Sequence, residues 1–175
     1  MTTISTIAAV LALGGSVSQS VPAPSAKIDF EATQMFAGGY ARAVVTLTFA
    51  DGLHGYQNPP SEDYQIPVQL QTLEGTGKVL MVKYPEGEPH VMGGETKASM
   101  TYGGTVRFPV LIELPKKVGK VEVGIRVRYQ QCDESACYPP GRIDVKQTLT
   151  LSSQPNWANQ VARRGVRDAM RARVR

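Results

Sequence analysis

Cysteine is close to absent from this 175-residue chain: there are two, Cys132 and Cys137. A scaffold stapled by several disulfides is therefore excluded. Stability has to come from a buried core, for which a chain of this length that is 42 % hydrophobic has enough material in one domain. Histidine is equally scarce, with only His54 and His90, which lie far from the cysteines and from each other in sequence. A metal site needs more ligands than two thiols, and spacing groups no others, although a soft Cu(I) site could still recruit Met92 or Met100. No run approaches 18 apolar residues, so no segment reads as a membrane-spanning helix. Basic residues are missing from the body as a stripe. Six arginines stand against one aspartate after Pro155, so the sequence pI of 9.1 belongs to the tail, and nucleic acid is not an expected partner.

The two ends differ from the middle. Ile4 to Leu13 is a short apolar run followed by small residues, with Ser18-Gln19-Ser20 as a small-x-small cleavage site, although no Lys or Arg precedes it. Residues 1–20 are read as a signal peptide for export to the periplasm and 21–26 as a linker. Residues 27–152 are read as the folded domain and 153–175 as an Arg-rich tail. In that tail Asn156 can cap a helix carrying Trp157, Val161, Val166, Met170 and Val174 on a ragged stripe. It reads either as a solvated basic tail or as a short helix contacting an anionic membrane surface or an acidic partner.

Between them the pattern is all-β. The 17 glycines and 12 prolines punctuate short alternating runs. About eight strands are expected. Lys27–Phe36 opens, and Tyr40–Phe49 follows with Ala43, Val45, Leu47 and Phe49 on one face. Tyr64–Leu70 is next, at an edge because of Pro67, and then Gly77–Tyr84, Thr105–Leu114, Lys120–Gln131 and Arg142–Leu151. Residues between Asp51 and Ser61 are expected as an exposed loop, and Pro85–Glu95 as a mobile one. Strands of this length and spacing argue for a β-sandwich.

Both cysteines fall on a hairpin loop. Val121, Val123, Ile125, Val127 and Tyr129 alternate with polar residues before it, Pro139-Pro140-Gly141 closes it, and Ile143 and Val145 resume the alternation. A thioredoxin-like site is excluded, since it needs Cys-x-x-Cys on a helix N-terminus. The loop permits a structural disulfide, a redox-active pair or part of a metal site. As a staple it is weak, because so short a ring restrains the unfolded chain by only about 2 kcal/mol, against about 4.7 for a long loop. On residue type alone His54 and His90 are ordinary loop residues, Tyr56 and Tyr138 pack against the hairpin, and Asp133 and Glu134 form its solvated tip.

The string Tyr129-Gln130-Gln131-Cys132 with Cys137-Tyr138-Pro139-Pro140 resembles the active-site hairpin of the N-terminal periplasmic domain of the DsbD thiol:disulfide interchange family. Gly52-Leu53-His54-Gly55-Tyr56-Gln57-Asn58-Pro59-Pro60, Ile66-Pro67, Tyr84-Pro85-Glu86-Gly87 and Tyr102-Gly103-Gly104 are similar to that family's segments in the same order. The resemblance implies an immunoglobulin-like β-sandwich that passes electrons from a membrane transporter to thioredoxin-like periplasmic proteins. It implies that Cys137 forms the mixed disulfide with the partner and that Cys132 resolves it. It places a cap over the disulfide, for which this chain offers Met92 as the apolar lid and Glu95 as an acid, and a docking surface of Tyr56, Met92 and Tyr138. No cofactor is implied. Full-length members add a transmembrane region and a thioredoxin-like domain, neither of which is read here. The competing reading is a non-enzymatic periplasmic module that binds copper or a protein and whose disulfide is structural.

Overall fold

The computed structural model describes residues 21–153 together with Arg164, Gly165 and Asp168. The expected signal peptide and the expected tail helix lie outside the described residues. Twelve strands are described: β1 Ser25–Phe30, β2 Met35–Phe36, β3 Tyr40–Thr48, β4 His54–Tyr56, β5 Gln69–Thr72, β6 Lys78–Val82, β7 Glu88–His90, β8 Ser99–Gly103, β9 Thr105–Glu113, β10 Gly119–Tyr129, β11 Gln131–Cys132 and β12 Gly141–Ser152. They form three sheets ordered β1-β3-β9-β6, β2-β12-β10-β5 and β11-β4-β8-β7.

The first two sheets make the immunoglobulin-like sandwich. Alternation along each long strand puts every second side chain inward. Ala43, Val45 and Leu47 of β3, Phe108 and Ile112 of β9, Val123, Ile125 and Val127 of β10, and Leu149 and Leu151 of β12 share one core. The long hairpin β10–β12 runs in unbroken antiparallel register from Gly119↔Leu151 to Tyr129↔Gly141. The Tyr129 ring covers Gly141, where a Cβ would lie 2.6 Å from it. That hairpin is the rigid stem from which the cysteine loop projects.

The third sheet corrects two expectations. Residues 51–61 are not one exposed loop, because His54–Tyr56 is an inner strand of this sheet with Gly55 and Tyr56 buried. Gly55 is needed there, since a Cβ would come within 2.8 Å of the Phe49 ring. Residues 85–95 likewise contain a strand, β7, paired to β8. The expected Lys27–Phe36 strand is two strands in different sheets, since β1 pairs with β3 and β2 runs parallel to β12. The expected Tyr64–Leu70 strand begins only at Gln69. Pro67 has no N–H for a ladder and makes a single bridge to Tyr56.

Candidate functional site

Two-residue periodicity sorts the third sheet into two faces. Residues opposite one another in antiparallel strands share a face. The register Cys132↔His54↔Gly103 and Tyr56↔Thr101↔Glu88 therefore puts Cys132, His54 and Tyr56 on the same side, with Ser99 and His90 beside them. The other side carries Gly55 and Tyr102, and Tyr102 packs edge-on against the core Phe108 at 5.4 Å. One face thus fastens the small sheet to the sandwich and leaves the other for the cysteines.

Cys132 and Cys137 form a disulfide with their Cα atoms 4.0 Å apart. Their exposures differ sharply: Cys132 is 0 % exposed, whereas Cys137 is an exposed residue. The loop between them is built by Asp133. Its carboxylate accepts from the Ser135 and Ala136 amides and the Ser135 hydroxyl, and also from the Tyr138 hydroxyl. These donors hold the Asp133 carboxyl far below the usual range, the Tyr138 hydroxyl contributing most. The expected role of Asp133 as a solvated tip residue is therefore replaced by that of a loop organiser. Tyr138 braces the same loop, and its amide donates to the Gln131 carbonyl at 2.9 Å.

The segment 91–98, between β7 and β8, crosses over the disulfide as a cap. Met92 is fully buried in a cluster with Tyr56 and Cys132. The amides of Gly93 and Gly94 donate to the carbonyls of Asp133 and Glu134 at 2.8 and 3.2 Å. Gly93 has φ +59°, and a Cβ there would sit 2.9 Å from Cys137 Sγ, so glycine is required both by conformation and by contact.

Glu95 ties the cap to its surroundings. Its Oε1 accepts from the hydroxyls of Tyr56 at 3.1 Å and Tyr64 at 3.0 Å, and its Oε2 accepts from Ser99 at 2.9 Å. Gln65 donates to that same Ser99 hydroxyl at 2.7 Å, while its own oxygen accepts from the Ser61 and Glu62 amides. Burial works to raise the Glu95 carboxyl, but the hydroxyls of Ser99, Tyr64 and Tyr56 outweigh it and hold it below the usual carboxylate range. Burial and the neighbouring Glu95 charge push Tyr56 up to about 12, so it keeps its proton. The Tyr56 hydroxyl lies 3.6 Å from Cys137 Sγ.

The site thus gathers Cys132, Cys137, Tyr56 and Met92, with Tyr138 in the supporting loop. Tyr64, Gln65 and Ser99, which carried no signal in the sequence, complete it. His54, far from the cysteines in sequence, stands directly opposite Cys132. No group of three or more His, Cys, Asp or Glu side chains poised to hold a metal ion occurs among the described residues.

Residues 18–149 match the family described as "Thiol:disulfide interchange protein DsbD, N-terminal". That description names the chemistry for which this chain carries a cysteine pair. No curated protein matches the sequence. Among solved structures, the reduced DsbD N-terminal domain of Neisseria meningitidis is 17 % identical with a TM-score of 0.42, over 66 % of this chain and 80 % of that one. The N-terminal periplasmic domain of ScsB from Proteus mirabilis is 14 % identical with a TM-score of 0.49, over 76 % of this chain and 50 % of that one.

Proposed function

The chain belongs to the DsbD N-terminal domain family, and on that premise we propose that it is an exported, periplasmic thiol:disulfide exchange protein that passes electrons through Cys132 and Cys137 to or from a thioredoxin-like partner. The observation that carries this reading is the asymmetry of the pair. A disulfide is opened by a thiolate attacking one sulfur while the other leaves. Cys132 is fully buried, whereas Cys137 is an exposed residue whose sulfur lies against the cap at Gly93, so an incoming protein thiolate that moves the cap aside reaches Cys137 and not Cys132.

Two electrons move in two steps. A partner thiolate attacks Cys137 Sγ, the Cys132–Cys137 bond breaks, and Cys132 leaves as a thiolate that takes up a proton. The partner's second thiolate then attacks its own sulfur in the mixed disulfide. Cys137 is released as a thiol, and the partner carries the disulfide away. In the opposite direction the Cys137 thiolate attacks the partner's disulfide, and Cys132 displaces the partner by attacking Cys137 Sγ. The ionised Glu95, reaching toward Cys137 through Tyr56, disfavours a thiolate there by like charge. The reduced pair is then slow with arbitrary disulfides, and selectivity falls to docking. Tyr56 lies beneath the cap and Met92 is the cap's own buried side chain, so both join a docking surface only after the cap moves aside, while Tyr138 fixes the shape of the loop that is presented. A membrane electron transporter is the proposed source or sink on the other side of the exchange.

The test is mixed-disulfide trapping with an oxidised thioredoxin-like protein. Cys132→Ser, which leaves the exposed thiol, should accumulate the adduct at least tenfold more than Cys137→Ser. Equal accumulation would remove the assigned roles, and no accumulation with either variant would remove the exchange function.

A further inference from the structure

The two histidines, unconnected in sequence, meet at the base of the cap. Their rings stack with centroids 4.0 Å apart and planes inclined by 22°. His54 stands on β4, opposite Cys132 on one side and Gly103 on the other. A Cβ on Gly103 would lie 2.5 Å from His54 Cδ2, so the ring rests against that backbone. His90 ends β7, two residues before Met92. The stack therefore joins the strand paired to Cys132 to the point where the cap begins.

The chemistry of this stack depends on its charge. His54 Nδ1 and His90 Nε2 are buried and have no hydrogen-bond partner among the described residues. In a neutral imidazole one nitrogen is a bare acceptor, but in an imidazolium both are donors. A proton on either ring as placed would therefore leave a buried, charged donor unanswered, beside a ring that offers it nothing. The stack is consistent with two neutral rings only.

We propose that the His54–His90 stack is a proton-sensitive latch on the cap, closed while both rings are neutral and released when either gains a proton. Access to the Cys132–Cys137 disulfide then rises as the pH falls. The proposal rests on reading that disulfide as an exchangeable site.

A cleft on one side of the stack is lined by Asp133 and Glu134 of the hairpin tip, and another is lined by Glu86, Glu88 and Arg107. Asp133 is occupied by its own loop and by Tyr138. Glu134 favours a proton on His54, but burial and His90 outweigh it and hold His54 below the ordinary histidine value. Glu95, the other fastening of the cap, is held below the usual carboxylate range and stays ionised near neutrality. In an open cap the His54 ring meets water and regains the ordinary histidine value of about 6.5. The closed form is thus fully favoured above that pH and loses ground below it, by at most about tenfold per pH unit for each proton gained on opening.

The test is the rate of disulfide reduction by a phosphine, tris(carboxyethyl)phosphine, divided at each pH by its rate on an oxidised synthetic peptide spanning residues 130–140. The division removes the reductant's own pH dependence. The ratio should rise about fivefold between pH 7.5 and 5.0. The double variant His54→Phe/His90→Phe, with two rings and no titrating nitrogen, should give a flat ratio. Amide exchange provides a measurement that needs no variant. Protection at Gly93 and Gly94, corrected to the unstructured rate at each pH, should fall over the same window, while protection at Ile125 and Val127 holds. A flat wild-type ratio, a rise that survives in the double variant, or cap and core amides losing protection together would each overturn the latch. Because the reductant is not a protein, these outcomes are independent of whether the trapping experiment above succeeds.

Discussion

Met92 shows how much one side chain can decide. It is fully buried, yet its cluster is the small one with Tyr56 and Cys132 and not the core of the sandwich. Removing it should open the cap and leave the rest of the fold in place. If truncation to alanine takes about 2 kcal/mol from the closed cap, the open fraction rises about thirtyfold. Met92→Ala should accordingly speed reduction of the disulfide by dithiothreitol by at least tenfold, while the thermal midpoint falls by only a few degrees, as both can be read from one preparation. An unchanged reduction rate would mean that the cap does not guard the sulfurs. Met92, Tyr56 and the cysteine pair were legible in the sequence, because hairpin alternation and the ordered motifs mark them. Tyr64 and the histidine stack were not. Tyr64 reaches Glu95 across 31 residues, and it sat in a segment whose alternation suggested a strand. His54 and His90 meet only because β4 and β7 both pair with β8.

At the scale of elements, strand length decided what could be read. The long strands β3, β9, β10 and β12 are long enough to declare themselves, and the apolar faces expected for β3 and β10 supply much of the core. The three-residue strands β4 and β7 are too short for any period to emerge, and glycine or proline inside each imitates a loop. The sheet that carries the site was therefore the part hidden from sequence reasoning. Its cap is closed by Glu95, and this has a pH signature distinct from that of the histidines. The Glu95 carboxyl is lower in the closed form than in an open one, so its contribution is complete above the ordinary carboxyl value of about 4.3 and is lost as pH falls through the lowered value. Wild-type protection against the phosphine should show a second decline in that acid range. Glu95→Gln should lose about 1–2 kcal/mol of cap closure already at pH 7 and lack the acid decline. Persistence of the acid step in Glu95→Gln would assign it to another carboxylate.

For the whole molecule, the question is whether the disulfide is reached by local opening or only when the sandwich unfolds. The arrangement favours the former. The cysteine loop projects beyond the unbroken β10–β12 ladder. The cap is held by two glycine amides, Met92, the Glu95 carboxylate with the hydroxyls that donate to it, and the histidine stack, none of which belongs to the core between the two main sheets. Segments fastened by so few contacts open at a fraction of the global free energy. Ile125 provides the decisive comparison, since it is fully buried in the middle of β10, on the face turned away from solvent. Ile125→Ala should cost about 2–5 kcal/mol of global stability, measured by urea unfolding of the oxidised protein. The same variant should be reduced by dithiothreitol under native conditions at the wild-type rate, because the open-cap state is reached without disturbing Ile125. If instead the reduction rate rises in proportion to the lost stability, the sulfurs are reached only through global unfolding. A partner protein would then have no folded route to Cys137, and the pair would act as a structural bond in an otherwise closed domain.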